Sequence, residues 1–160
     1  MRGGDHEPFL SAGFAAARFT EPNENFAHQH QNTRVDPVTG VQFGDLIEFV
    51  DLDFTARVAR VNAAAIWSLA QAPGTPKNVT IDTSVLTNNS TLAWALDTSP
   101  AVAGYEIVWR PTDAPLWTDV VPVGLVDRAT VLLSKDNAIF GVRAVGRNGF
   151  RSPATFPFSL

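Results

Sequence analysis

The chain contains no cysteine, and several other features are scarce. Without a thiol there is no disulfide framework, no thiolate metal site and no cysteine nucleophile. No run of about 18 apolar residues occurs, so no transmembrane helix is expected. The first five residues lack the apolar stretch of a signal peptide. Acidic residues outnumber basic ones, 16 against 12, so neither a nucleic acid nor an anionic membrane is expected as a partner.

The hydrophobic pattern changes along the chain and divides it into two parts. With 160 residues, 45% of them hydrophobic, the chain is long enough for one globular domain or two small ones. The stretch from Ala72 to Pro76 is rich in proline and glycine, which is typical of a linker. Apolar residues recur at helical spacing before it and alternate after it. We therefore predict a first domain over 1–72, a linker over 73–76 and a second domain over 77–160.

The clearest helix is predicted over Asp45–Ala70. Apolar side chains recur there at steps of three and four, and such a stripe is more often core than cofactor pocket. The stripe consists of Ile47, Val50, Phe54, Val58, Val61 and Ala65.

The residues before this helix give weaker signals. Pro8 and Gly13 bracket a short helix, with Phe9 and Leu10 expected to face inward. A short buried strand is predicted over 13–19. The polar stretch 20–44 is predicted to be a long loop, and loops of that length are usually functional or disordered.

Beyond the linker, six short alternating strands are predicted, separated by turn residues at the spacing typical of an all-β sandwich. They cover 78–81, 90–94, 104–110, 117–120, 129–133 and 140–145.

All three histidines fall within the first 30 residues, at positions 6, 28 and 30. Imidazole is the commonest protein ligand for zinc. Asp5-His6 and His28-x-His30 are not a closed ligand set, since structural zinc needs four protein ligands and catalytic zinc usually three. By spacing alone, the alternative of solvated loop residues stays open. A triad of Asp5, His6 and Ser11 is disfavoured, because Ser11 lacks a nucleophile-elbow context.

Three motifs resemble the last active-site segment of the two-zinc aminopeptidases, a superfamily that includes the glutaminyl cyclases. They are Gly4-Asp5-His6-x-Pro8-Phe9, Arg18-Phe19-Thr20-Glu21 and Asn25-x-x-His28-Gln29-His30. The resemblance implies that His28 is a zinc ligand and His30 only its neighbour. It implies that Asp5 and His6 contact the substrate or support a ligand. Gly4 in place of serine and Ala15-Ala16 in place of Pro-Ala depart from the family pattern.

The second part resembles a fibronectin type III domain. The motifs that carry this resemblance are Thr91-Leu92-x-Trp94, Gly104-Tyr105-Glu106-x-x-Trp109-Arg110 and Val142-Arg143-Ala144-Val145-x-x-Asn148-Gly149. Ala138 stands where the family has a corner tyrosine. The fold class implied is an α+β fragment, the end of a zinc-peptidase α/β domain with its long C-terminal helix, plus an all-β fibronectin type III-like sandwich.

The first resemblance also implies a function for a larger parent protein. That parent would be a zinc aminopeptidase, extracellular or periplasmic, with two zinc ions and a peptide substrate. The family's other ligands lie in a His-x-Asp segment and a Glu-Glu pair, and neither occurs here. We therefore expect no catalytic residue in this chain, no activity from it alone, and a start at Met1 that falls inside a motif.

Two alternatives remain. One is a non-catalytic binding module, in which an exposed Trp117 or Tyr105 contacts a glycan or a protein. The competing interpretation is that Trp94 and Trp109 are core residues and Trp117 covers an edge, which is favoured because large aromatic residues are mostly buried. The other alternative is a peptide cyclase, which shares the zinc fold.

Overall fold

The computed structural model describes residues 3–14 and 16–159. The chain divides into two compact units, Met1–Ala56 and Arg57–Leu160. The elements of the first part are helix α1 (Glu7–Ser11), strands β1 (Arg34–Val35) and β2 (Gln42–Phe43), a 3-10 helix (Ile47–Phe49) and helix α2 (Leu52–Gln71). The division between the units falls within α2, whereas residues 72–76 form no helix or strand. The domain boundaries predicted from the sequence therefore stay a prediction.

Helix α1 lies where proline and glycine predict it. Pro8 occupies the first turn, and Gly13 follows the end with a φ of +84°. The inward orientation expected of Phe9 and Leu10 is wrong, because both are exposed. The strand expected over 13–19 is also wrong for its described residues, which are irregular and mostly exposed. Ala15, part of that prediction, lies outside the described residues.

Residues 20–44 form the predicted loop, interrupted by one small hairpin. Strands β1 and β2 pair antiparallel, and Asp36 builds the turn between them. Its carboxylate accepts the N–H groups of Val38 and Thr39 at 3.0 and 2.8 Å. Those backbone hydrogen bonds lower the pKa of Asp36. This hairpin is the only sheet among the described residues before α2, so the expected α/β part is not seen there.

Helix α2 begins at Leu52, seven residues later than predicted. The Asp51 carboxylate accepts the Phe54 N–H at 2.8 Å and so caps the helix. Asp45, the predicted start, instead accepts the backbone N–H of His30. The expected burial of the apolar stripe is wrong, since Phe54 is 43% exposed and no described side chain of α2 is buried. In the part of the chain that the structure covers, no helix has both the length and the apolarity needed to cross a membrane.

The second unit contains a β-sandwich of seven strands, all but the last predicted from the sequence to within a few residues. They are β3 (Lys77–Ile81), β4 (Ser90–Ala95), β5 (Val102–Pro111), β6 (Asp119–Gly124), β7 (Arg128–Val131), β8 (Ala138–Gly146) and β9 (Phe158–Ser159). One sheet has the order β7-β4-β3-β9 and the other β6-β5-β8. Residues 151–155 continue the second sheet through bridges to β8. The prediction missed β9, which pairs parallel with β3 over two residues.

The core of the sandwich lies between the two sheets. Its buried apolar residues are Val79, Ile81, Leu92, Trp94, Val102, Tyr105, Ile107, Val131, Phe140, Val142 and Ala144. Along β4 they alternate with more exposed positions, which is the period of two that the sequence shows, whereas residues 104–108 of β5 are all buried. Trp94 is buried as predicted, and Trp109 is half-buried and packs against the core.

Candidate metal-ligand site

The loop that carries His28 is shaped by Asn25. The Asn25 Oδ1 accepts the Ala27 N–H at 3.1 Å, and the Asn25 carbonyl oxygen accepts the His28 N–H at 3.0 Å. An asparagine that hydrogen-bonds the backbone two residues ahead sets up a tight turn. The Ala27 carbonyl oxygen in turn accepts the Gly44 N–H at 3.0 Å. This hydrogen bond connects the turn to the end of the loop at Gly44.

The ring of His28 has two partners. It stacks on the Phe49 ring with centroids 3.6 Å apart and an interplanar angle of 3°. Its Nδ1 atom lies 3.3 Å from the Asn25 Nδ2. Phe49 fixes the plane of the imidazole and Asn25 contacts its edge. These two residues together define the orientation of the ring.

His28 lines a hollow of about 690 Å³. Charged groups of both signs lie around it. The Arg18 Nη2 is 3.6 Å from the Glu24 Oε1. Glu24 also accepts hydrogen bonds from Thr20 at 3.0 Å and Gln29 at 3.2 Å. The hollow therefore combines an imidazole with a cation and a carboxylate that already pair with each other.

Asp5 and His6 line a second, smaller hollow of about 350 Å³. Arg18 lines both hollows and donates from Nη1 to the Gly3 carbonyl oxygen at 2.8 Å. The Nδ1 of His6 is buried and has no hydrogen-bond partner in the part of the chain described. The structure thus places His28 in one hollow and Asp5 and His6 in another. Their assigned roles stay predictions.

The described residues do not form a complete zinc site. Among them, no group of three or more histidine, cysteine, aspartate or glutamate side chains is arranged to hold a metal ion. A zinc site needs three or four protein ligands. A single imidazole on an open hollow fits the role of one ligand among several.

One of the two aromatic residues expected to be exposed on the alternative binding surface is buried. Tyr105 is only 1% exposed, and its hydroxyl oxygen accepts the Asp97 N–H at 2.7 Å, so its expected exposure is wrong. Trp117 is half-buried, with its ring centroid 5.5 Å from that of Phe156 and 5.8 Å from the Arg110 guanidinium carbon. An added Cβ on Gly141 would meet the Trp117 ring at 3.1 Å. Trp117 therefore packs over strand β8, and its expected role in covering an edge stays a prediction.

Three residues around His28 were not singled out from the sequence. The sequence places Asn25 in a spacer, Phe49 inside the predicted helix over Asp45–Ala70, and Arg18 in a motif. The available signal for Asn25 was its position three residues before the histidine, which is suited to a turn. No sequence signal pairs Phe49 with a histidine 21 positions away, because that contact depends on the path of the loop.

By its strand order, the second unit is a β-sandwich that resembles fibronectin type III domains. No protein-family model matches the chain. Several curated proteins, however, are similar to it in sequence. One from Pyrenophora teres f. teres, named "Probable zinc metalloprotease", is 60% identical over 158 residues, covering 99% of this chain and 32% of the relative.

Two further relatives carry similar names. The "Probable zinc metalloprotease" of Pyricularia oryzae is 58% identical over 162 residues, covering 99% of this chain and 32% of the relative. That of Leptosphaeria maculans is 60% identical over 158 residues, covering 99% of this chain and 36% of the relative. The chain thus spans about a third of the length of the curated relatives it matches.

Solved structures align with about half of the chain. A Fn3-like protein from Clostridium thermocellum aligns with a TM-score of 0.41 and 18% identity, covering 56% of this chain and 88% of that one. The fn3 domain of human collagen alpha-1(XX) chain aligns with a TM-score of 0.40 and 18% identity, covering 53% of this chain and 81% of that one.

Proposed function

We propose that this chain is the C-terminal part of a zinc-dependent aminopeptidase that releases N-terminal residues from peptides. Residues 1–72 would end the catalytic domain, and residues 77–160 would be an appended β-sandwich. The observation that carries the proposal is the 60% identity over 99% of this chain to a relative named "Probable zinc metalloprotease". The placement of His28 on an open hollow supports it.

In this proposal His28 supplies one of several zinc ligands, and the others come from parts of the longer protein. Two zinc ions are proposed for the complete enzyme. Bound zinc lowers the pKa of a water molecule and polarises the scissile carbonyl. Asp5 and His6 are proposed to contact the peptide substrate or to support a ligand. The general base is proposed to lie outside this chain.

A chimera tests the proposal. The 158 aligned residues of the Pyrenophora teres relative are replaced by this chain, and hydrolysis of leucine anilide is compared with hydrolysis of its N-acetylated form. An aminopeptidase cleaves only the free amine form, and a chelator should abolish that activity until zinc is restored. Equal cleavage of both forms would refute the aminopeptidase type. Activity that survives the chelator would refute the role of zinc.

The isolated chain provides the matching control. With added zinc it should show no turnover of leucine anilide, because one imidazole cannot replace a coordination shell. Chelator-sensitive turnover by the isolated chain would contradict the claim that the remaining ligands lie elsewhere.

A further inference from the structure

The C-terminal end of helix α2 lacks the residues that usually stabilise such an end. The last carbonyl groups of a helix have no partner within it, and a glycine after the end or a basic side chain in the last turn often compensates. Here Ala72 follows Gln71, and the last turn contains no basic residue. The Gln71 carbonyl oxygen instead accepts the Asn148 Nδ2 at 2.9 Å. A residue of the sandwich therefore caps the helix.

The capping side chain is oriented within the sandwich. The Asn148 Oδ1 accepts the Phe150 N–H at 3.1 Å. A backbone N–H only donates, so this contact directs the NH2 group of Asn148 toward the helix. An added Cβ on Gly146 would lie 2.5 Å from the Asn148 Oδ1, so a side chain at position 146 would displace the carboxamide. The turn over 146–150 thus presents the cap ready-made.

The residues after the helix are also held by the sandwich. Pro73 lies against Gly146, since an added Cβ on that glycine would be 3.4 Å from the Pro73 Cδ. Pro76 is buried, and its carbonyl oxygen accepts the Thr155 Oγ1 at 2.9 Å. The backbone of Thr155 is itself bonded to β8 through both its N–H and its carbonyl oxygen. Only residues 74–75, between these two anchors, are exposed on both sides.

We infer that residues 71–76 form a fixed elbow and not a flexible linker. The turn around Asn148 and the side chain of Thr155 make an intramolecular docking surface, and its partner is the C-terminal end of α2. All of these contacts lie within the second unit. If α2 ends the catalytic domain, that helix carries the sandwich rigidly in the longer protein. This consequence rests on the proposed function, whereas the elbow itself does not.

NMR relaxation of ¹⁵N-labelled full chain tests the elbow without zinc or substrate. In the native chain the amides of Ala72, Gly74 and Thr75 should have order parameters of about 0.85, the value of rigid backbone, and not below about 0.6 as in a flexible segment. In Asn148→Asp the carboxylate still accepts the Phe150 N–H, but it cannot donate to the helix. Its negative charge is also unfavourable at a helix C-terminus.

The second anchor is removed by Thr155→Val, which deletes the hydroxyl and keeps the backbone bonds to β8. In the double variant Asn148→Asp/Thr155→Val the order parameters of Gly74 and Thr75 should fall below about 0.6. The amides of β5 should keep their native values, which shows that the sandwich is folded. If the double variant does not fold, Thr155→Val alone should still lower the order parameter of Thr75.

A matched double variant, Asn88→Asp/Thr130→Val, adds the same charge and removes one hydroxyl elsewhere on the sandwich. Asn88 is exposed, and the Thr130 Oγ1 pairs with the Thr91 Oγ1 at 2.8 Å. This variant should leave residues 72–75 rigid.

Flexible values in the native chain, native values in every elbow variant, or an equal loss in the control would overturn the elbow. None of these results bears on the hydrolysis or zinc content of the chimera, so the elbow and the proposed function fail separately.

Discussion

At the scale of single residues, Glu106 on β5 is a buried carboxylate that pairs with two arginine side chains. Its side chain is 6% exposed and accepts hydrogen bonds from the Arg143 Nε at 2.6 Å and the Arg151 Nε at 3.0 Å. Burial alone raises the pKa of this carboxyl. The hydrogen bonds from Arg151 and Arg143, together with their charges, outweigh burial, so the pKa lies below its ordinary 4.5.

This cluster predicts a pH-dependent stability. A carboxyl whose folded pKa is lowered stabilises the fold above its unfolded pKa, and that stability is lost as the pH falls through the folded pKa. Glu106→Gln should cost about 2 kcal/mol at neutral pH, which is less than the ~3–5 kcal/mol of a fully buried pair because Arg151 is half-exposed. In acid, as the pH falls through the lowered folded pKa, the difference should shrink. Urea unfolding of both proteins at neutral and at acid pH measures it.

The exposed Glu48 has no described ion pair, and Glu48→Gln is the matched control for the loss of one carboxylate. It should leave the unfolding free energy of the sandwich unchanged. An equal destabilisation by Glu106→Gln at both pH values would mean that packing, and not charge, explains its effect.

At the scale of elements, the start of α2 gives the next prediction. Because Asp51 caps the helix through the Phe54 N–H, Asp51→Ala should destabilise the first turn by about 1 kcal/mol. NMR chemical shifts of residues 52–55 should then move toward coil values. Asp53→Ala, which removes a first-turn charge but no cap, should cost only about 0.3 kcal/mol. Equal effects of the two variants would show that Asp51 acts through charge alone.

The strands could be predicted from the sequence and the start of α2 could not, for a physical reason. Burial in β4 repeats every two residues, so the alternation around Trp94 is visible locally. The helix start depends on a choice between two carboxylates. Asp45 is engaged by the backbone of His30, 15 residues earlier, which leaves Asp51 as the cap. No local pattern reports that contact.

The candidate site, too, could be predicted from the sequence only in part. Spacing and resemblance were enough to select His28 as a candidate ligand. The surroundings that orient its ring, an amide of Asn25 on one edge and the Phe49 ring on one face, depend on how the loop folds back on the 3-10 helix. They became visible only in the structure.

At the scale of the whole molecule, the two ends of the chain differ in burial. Among the described residues 3–56, only Gly44 is buried, whereas the sandwich encloses a core of 11 residues. Large apolar side chains before the sandwich are exposed, among them Phe9, Phe14, Phe19, Phe26, Ile47 and Leu52. A surface of this kind suits a segment of a longer protein, in which other residues would cover it.

This contrast predicts the pattern of amide hydrogen exchange in the isolated chain. Exchange should be slow on β4, β5 and β8, whose amides pair around the core, and fast over 3–44, where few apolar contacts oppose opening. Mass-spectrometric exchange on the full chain measures both regions together. Slow amides throughout 3–44 would contradict the account, because they require a core that the described residues do not contain.

The most direct test of the central claim is the zinc content of the chimera with the Pyrenophora teres relative. Metal analysis is performed on the native chimera, on His28→Gln and on His30→Gln. If His28 is the ligand, zinc bound per molecule falls in His28→Gln and stays at the native value in His30→Gln. Equal zinc in all three proteins, or an equal loss in both variants, would contradict the assignment of His28.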